Sequence, residues 1–369
     1  MRIALVSKRY PPHTGGVEEH VSALATEYAR QGDDVVVLTY GTGPRPAQDV
    51  VDGVEVRRFP LSCTVPNFEY SRALAEHLGM VHGGFDVVHA HSYHALPALS
   101  AARVRPASFV FTPHYHGTGH SALRSALHRP YRLVGRQIVG RAGRVVCVSA
   151  AEQALLLRHF PEAAGRCVVV PNGIRRPDPA PDLTRHHWAA EIRRSDLVTV
   201  GRLESYKGVD HAITALAGLP GRTRLHVLGE GPHRAALAVR AARSGLSKRV
   251  FFHGRLPRPA LDAALQRCGA VLSLSRHEAF GLVLGEALAA GAKVVASDIP
   301  AHRELAAPVP ERVALWAYGE KGLAAVIAEL LDRPAPGTAV ALPGWADIAR
   351  QTRGLYAEAG TGGAATALR

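Results

Sequence analysis

Long apolar runs are missing from this 369-residue chain. No stretch reaches the ~18 residues a spanning helix requires. The opening Met1-Arg2-Ile3-Ala4-Leu5-Val6-Ser7 suits a first strand better than a signal peptide. Cysteine is scarce and scattered, at Cys63, Cys147, Cys167 and Cys268, with no Cys-x-x-Cys spacing. Neither a disulfide framework nor a cysteine-built zinc site follows, and a reducing cytoplasm is the expected setting. Acidic residues are also in short supply: 44 Lys and Arg stand against 31 Asp and Glu, a formal charge of +13. That balance favours phosphorylated ligands, nucleic acid or an anionic membrane surface. Helix-turn-helix spacing, zinc-finger spacing and aromatic platform motifs are absent, so no nucleic-acid partner is expected.

What is present reads as globular. The chain is 47% hydrophobic and 20% charged, and at ~150 residues per domain its length suggests two to three domains. Short β-branched runs alternate with helical stretches: Arg2–Ser7, Val35–Thr39, Val54–Phe59, Val87–His91, Phe109–Thr112, Val145–Val148 and Val168–Val170 in the first half. Leu197–Gly201, Leu225–Gly229, Val250–His253, Val271–Leu274, Val294–Ser297 and Val313–Trp316 follow in the second. Runs without polar alternation imply strands covered on both faces, hence parallel sheets in doubly wound α/β domains. Two such series are too many for one sheet. The proline-rich stretch after Pro171-Asn172-Gly173 serves as the linker, and a last helix is expected from Trp345 to Tyr356 before a frayed Gly/Ala/Thr tail.

Three loops carry the chemistry. Gly15-Gly16 opens a helix in which Val17, Val21, Leu24, Ala25 and Tyr28 repeat at helical spacing. Paired glycines and free helix amides can take an anion, or serve only strand-to-helix packing. In Arg202-Leu203-Glu204-Ser205-Tyr206-Lys207-Gly208, at the carboxyl end of a strand, two cations could clamp a diphosphate; in isolation they are equally surface charges. Glu278 and Glu286 flank the amides of Gly281, Leu282 and Val283. Carboxylates accept pairs of sugar hydroxyls, so this arrangement suits a nucleotide sugar, unless Glu286 merely caps or solvates its helix.

Gly15-Gly16, Arg202-x4-Lys207, Gly229-Glu230-Gly231-Pro232, His253-Gly254-Arg255-Leu256 and Glu278-x7-Glu286 occur in an order and spacing that resemble the retaining glycosyltransferases of family four. Asp86-Val87-Val88-His89-Ala90-His91 and Val170-Pro171-Asn172-Gly173-Ile174 are similar to further segments of that family, so the resemblance spans nearly the whole chain. It implies the GT-B fold: two Rossmann-like doubly wound α/β domains facing across a cleft. Residues 1–174 would bind acceptor, 175–344 nucleotide sugar, and 345–369 would supply a helix crossing back to the first domain, plus the tail. By the same resemblance Gly15 and Gly16 approach the donor phosphate, Arg202 and Lys207 hold the diphosphate, and Gly229, Arg255 and Leu256 belong to the nucleotide site. Glu278, Ala279, Phe280, Gly281 and Leu282 would contact donor sugar and phosphate, Glu286 the ribose hydroxyls, and His114 would be the active-site histidine. Lys293, often proline in the family, and the segment Asp298 to His302 are departures expected to bear on sugar specificity. Asp33-Asp34 is a departure attributed to surface variation.

No Asp-x-Asp triplet occurs, so no metal is assigned to the diphosphate and no cofactor is expected; Arg202, Lys207 and helix amides would supply the positive charge. Glu278 is the only nearby carboxylate and the family assigns it to sugar hydroxyls, so front-face substitution is expected over double displacement. The donor would be a nucleoside diphosphate sugar, UDP-linked by family frequency. The acceptor would be a natural product or a cell-envelope precursor. A GT-B epimerase or phosphorylase, or a nucleotide-sugar-binding protein, are the alternatives.

Histidines cluster near strand ends: His89, His91, His114, His116 and His120. Zinc requires three or four converging ligands; proton handling or hydroxyl recognition is the expected role, with His114 first, His116 its rival and His91 on the acceptor side. From Val87 through Ala151 there is no acidic residue but eight arginines. Arg124, His128, Arg132 and Arg136 recur every four residues in a helical pattern interrupted at Pro130. A solvated positive face is favoured there over a peripheral contact with an anionic membrane.

Overall fold

The computed structural model describes residues 1–361 apart from 66–67, 82, 104–107, 118–121, 185, 321 and 335–338. The chain divides into two compact units, Met1–Gly173 with Trp345–Arg369, and Ile174–Gly344. Each is a doubly wound α/β layer structure.

In the first unit an eight-stranded sheet runs in the order Cys167–Val169, Arg144–Cys147, Ser108–Thr112, Val87–His91, Arg2–Val6, Asp34–Gly41, Val54–Pro60, Ala47–Val51. Strands Val87–His91 and Ser108–Thr112 are buried at every residue, as a sheet covered on both faces demands. The apolar runs anticipated all seven parallel strands but not the edge strand Ala47–Val51, which pairs antiparallel with Val54–Pro60. This strand is largely exposed and carries no apolar run. Its signal is the turn: Asp52 (φ 50°) and Gly53 (φ 81°) are the two left-handed residues of a tight hairpin. A short hairpin, Cys63–Val65 with Phe68–Tyr70, stands apart from the sheet.

Pro130 does not interrupt its helix, which runs Ala122–Arg141. An interior proline costs about 3 kcal/mol. Ile138 and Val139 are fully buried, and at roughly 1.5–3 kcal/mol each they offset it. The side chains of Arg124 and His128, and all of His120, lie outside the described residues. Arg132 turns inward and donates to His159 Nε2 at 3.0 Å, so only Arg136 of the described part of the stripe is fully on the surface.

The helix Trp345–Thr361 packs back onto this first unit. Gly173 gives it room, since a Cβ there would come within 2.6 Å of the Trp345 Cα. Farther along, Tyr356 hydroxyl meets Tyr28 hydroxyl at 2.8 Å and His89 Nδ1 at 2.9 Å. Asp33 is no surface variation: its buried carboxylate takes the chain's amino terminus at 2.8 Å and Arg353 at 2.7 Å, fastening this last helix to the sheet.

The second unit carries a six-stranded parallel sheet, ordered Val250–Gly254, Leu225–Leu228, Leu197–Val200, Ala270–Ser273, Lys293–Ser297, Val313–Trp316. Lys293 is likewise structural. Its buried ammonium donates to the carbonyls of Leu330 and Leu331 at 3.0 Å and of Arg333 at 2.5 Å, closing the C-terminus of helix Leu323–Asp332.

Candidate active site

In the first unit, candidate groups converge at the carboxyl ends of strands Val87–His91 and Ser108–Thr112 and on helix Gly16–Arg30, with Gly15 as its N-cap. His20 lies on the apolar stripe of that helix with Val21, Leu24, Ala25 and Tyr28, all buried. Its ring centroid is 4.8 Å from that of His114, 5.2 Å from that of His91 and 5.4 Å from that of Trp345, which lies edge-on to it. Ligating nitrogens of His20, His91 and His114 all fall within 4.8 Å of one another. His20 Nδ1 lies 2.7 Å from Asn172 Oδ1; donation to that oxygen places the proton on Nδ1 and leaves a lone pair on Nε2. Among the described residues His20 Nε2, both ring nitrogens of His91, and His114 Nε2 have no hydrogen-bond partner.

Burial lowers the His20 imidazole to about 4 despite the Asn172 bond, and lowers His91 and His114 well below the ordinary value, with neighbouring rings adding to the effect. All three are therefore neutral near pH 7. Such rings suit hydroxyl recognition or proton transfer. Three converging neutral imidazoles are also a donor set that a borderline cation could use. Of the two histidines left open by the sequence, His114 joins this cluster, whereas His116 stacks on His94 with centroids 5.2 Å apart. His20 escaped the motif reading. Its signal was a histidine falling in helical register with buried apolar residues just after Gly15-Gly16.

The second unit gathers charge instead. The loop after strand Leu197–Val200 brings Lys207 Nζ within 2.7 Å of Glu278 Oε1, in the loop after strand Ala270–Ser273. Burial opposes ionisation of Glu278, yet the Lys207 ammonium outweighs it and holds the carboxyl at about 2. Burial similarly opposes the charge on Lys207, and Glu278 overcomes it, raising the ammonium above its ordinary value. Arg202 is exposed and close enough to act on Lys207 as a like charge, and its guanidinium reaches Tyr206 hydroxyl at 3.5 Å. Tyr206 stacks on His277, centroids 5.1 Å apart.

Beyond Glu278, half-buried Ala279 and buried Phe280 lead to Gly281, the left-handed N-cap (φ 100°) of helix Leu282–Ala289. A glycine cap brings no side chain to the first helical amides, which leaves the positive end of the helix open to an anion. His302 packs behind Gly281, where a Cβ would lie 3.0 Å from its ring, and hydrogen-bonds to Ser297. His302 thus packs against the loop that follows Glu278. Glu286 does not stand as a free acid: Arg258 reaches it at 2.5 Å and Asp262 at 2.8 Å. Arg258 carried no sequence signal because it lies outside every recognised motif. Leu256 is half-buried and Arg255 exposed at the end of strand Val250–Gly254. Gly229 has a backbone reason to be glycine, since a Cβ would meet the Gly201 carbonyl at 1.9 Å, which explains the residue without any ligand.

Comparison with known proteins accounts for both units. Residues 14–176 match the family model described as Glycosyltransferase Family 4, and residues 185–339 match Glycosyl transferases group 1. The chain is 34% identical over 368 residues to a glycogen synthase of Mycobacterium tuberculosis, covering 91% of this chain and 87% of that one. It is 28% identical to a phosphatidyl-myo-inositol mannosyltransferase of Mycobacterium leprae, covering 83% and 80%. In fold it is similar to sucrose-phosphate synthase from Thermosynechococcus elongatus (TM-score 0.78, 22% identity, 97% and 98% covered). It is also similar to the Anabaena protein HepE in complex with UDP and glucose (TM-score 0.73, 21% identity, 97% and 95% covered). With both family models together spanning most of its length, the chain belongs to glycosyltransferase family 4 and is a glycosyltransferase of the GT-B fold.

Proposed function

We propose that this glycosyltransferase moves a hexose or amino sugar from a nucleoside diphosphate, UDP foremost, to an acceptor hydroxyl with retention of anomeric configuration and without a metal ion. The observation that carries this is the Lys207–Glu278 pair beside Arg202. An ammonium has three N–H donors. Glu278 takes one of them, and the others are available to phosphate oxygens. Lys207, Arg202 and the amides that begin helix Leu282–Ala289 would neutralise the diphosphate as it departs. Glu278, held ionised, accepts sugar hydroxyls, while Glu286, kept anionic by Arg258, accepts those of the ribose. Gly15 and Gly16 approach the phosphate, and Arg255 and Leu256 the base. In the reaction the bond from the anomeric carbon to the phosphate oxygen breaks, and the acceptor oxygen bonds on the same face. Its proton passes to the departing phosphate.

The first unit takes the acceptor. His114, His91 and His20, neutral and with open nitrogens, hydrogen-bond hydroxyls of the transferred sugar and the acceptor. Relatives named glycogen synthase and phosphatidyl-myo-inositol mannosyltransferase support a hydroxyl-rich acceptor; a natural product or a cell-envelope precursor is the acceptor class of this proposal. None of the described helices is long and apolar enough to cross a membrane; a cytoplasmic enzyme is part of this proposal. The test is to incubate the protein with UDP-, GDP-, ADP- and dTDP-linked sugars, measuring nucleotide release and the anomer of any product by proton NMR. Release of UDP in preference, with retained configuration and no dependence on added metal, is expected. An inverted product would overturn the retaining mechanism, and no release from any donor would overturn the reading of the site.

A further inference from the structure

Strands Ser108–Thr112 and Arg144–Cys147 are parallel neighbours, so the loops leaving their carboxyl ends run side by side. One buried carboxylate joins those loops. Glu152, in the first turn of helix Ala150–His159, is 2% exposed. Ser149-x-x-Glu152 has the form of a capping box, and Ser149 Oγ does accept the Glu152 N–H at 2.9 Å. The carboxylate does more than cap. Its Oε2 accepts the Val148 N–H at 2.6 Å, and its Oε1 accepts the N–H of Tyr115 from the neighbouring loop. Among the described residues no cation pairs with it, and burial pushes its carboxyl up to about 8 against the pull of the two amides. Keeping a carboxyl in such a place is costly unless its acceptors are needed.

The Tyr115 N–H belongs to the peptide that follows His114. His114 has φ 47°, a left-handed conformation that a residue with a Cβ seldom adopts unless its surroundings enforce it. The next side chain is pinned as well: the Tyr115 ring packs 4.7 Å from that of Tyr93, and its hydroxyl meets His159 Nδ1 at 2.7 Å. We propose that Glu152 is a positioning residue for the active-site histidine, its carboxyl oxygens fixing the His114–Tyr115 peptide in the left-handed turn that aims the imidazole at His20 and His91. This rests on the reading of His114 given above.

Glu152→Gln keeps the volume but turns an NH2 group toward one of the two backbone donors. Histidine ring signals from two-dimensional 15N NMR, the dissociation constant of UDP, and UDP-glucose hydrolysis should be compared for wild type, E152Q, H114A and the double variant. Shifted His114 ring signals are expected in E152Q, with UDP affinity unchanged. A loss of turnover of about tenfold to hundredfold, the scale of a misplaced catalytic group, should disappear in the H114A background. Unmoved histidine signals, or an equal loss in the H114A background, would overturn the proposal. A wild-type rate for H114A would instead unseat His114 itself, while the ring signals still decide what Glu152 positions. Should E152Q fail to fold, Glu152→Asp, which keeps both acceptors but withdraws them by one carbon, carries the same comparison.

Discussion

The two units share an architecture and treat charge in opposite ways. At the strand ends of the first, His20, His91 and His114 are stripped of water and kept neutral. At the strand ends of the second, buried charges are kept but matched, Lys207 with Glu278 and Arg258 with Glu286 and Asp262. A neutral pocket with open nitrogens recognises hydroxyls, whereas a pocket of compensated charges can exchange one partner for a polyanion without stranding the other. The proposed division of labour between acceptor and donor would follow from solvation of side chains more than from the sheets, both of them doubly wound.

The sharpest way to break that contrast is to uncouple the charged pair. Lys207→Met should lower turnover on the donor by about 10²–10³, the scale of losing a group that stabilises transition-state charge. It should also weaken UDP binding and lower thermal stability, because Glu278 is left buried without its partner. Calorimetry with UDP alongside steady-state kinetics measures both. UDP binding and turnover both at wild-type levels would show that Lys207 does not hold the diphosphate.

The neutral site can be tested in the opposite sense. His91→Phe keeps a flat aromatic ring, slightly larger than the imidazole, and removes two buried nitrogens that have no partner among the described residues. Turnover should fall about tenfold, the worth of one net hydrogen bond of roughly 1.4 kcal/mol. Stability should hold or rise, since removing unpaired buried polar atoms relieves a cost. A protein destabilised by several degrees with turnover intact would mean that His91 serves the fold alone.

This contrast also marks what was legible in the sequence. Continuous runs such as Val87–His91 announced buried parallel strands because burial on both faces leaves no polar alternation to misread. The edge strand Ala47–Val51 was hidden because an exposed edge has no such run, and only Asp52-Gly53 betrays it. Arg202, Lys207 and Glu278 were visible through spacing, since loop residues at strand ends are brought together by the fold itself. His20, Asn172, Arg258 and Glu152 were not, because their meaning depends on partners 152, 28 or 37 residues away. Asp33 and Lys293, read as variation on a motif, are fastenings whose partners, Arg353 and the end of helix Leu323–Asp332, no local pattern discloses.

Acid should separate the two units. A histidine whose folded value lies below its unfolded one contributes stability that is present above pH ~6.5 and lost as pH falls through the folded value. For His20, lowered to about 4, this is on the order of 3 kcal/mol, and buried His89, His91 and His114 add in the same direction. Glu152, raised to about 8, works the other way between 8 and 4.5, one group against four. In the second unit His253, His277 and His302 act in the same sense without forming one such cluster, and Glu278, held at about 2, gives up its contribution only below ~4.5. Hydrogen exchange followed between pH 7 and 4.5 should therefore rise first in strand Val87–His91 and helix Gly16–Arg30. Earlier opening around Glu278 would reverse the assignment of charge to the two sites.

The smallest expected effect is none, and it discriminates well. His20, His91 and His114 have the donor atoms and the proximity for a cation, and their neutrality favours one, because a bound ion needs their lone pairs. The Asn172 bond to His20 Nδ1 leaves Nε2 open and would suit a metal ligand as well as a hydroxyl acceptor; what speaks against an ion is that, in the proposed reaction, Lys207 and Arg202 would already supply the positive charge the diphosphate needs. Stripping the protein with EDTA should then leave donor turnover unchanged, and zinc added back should change neither the rate nor the melting temperature. If chelation abolished turnover and zinc restored it, the imidazoles would be ligands rather than hydroxyl acceptors. If His20→Ala also lowered zinc affinity, the metal would be placed in the first unit and the contrast between a neutral and a charge-compensated site would fall with it.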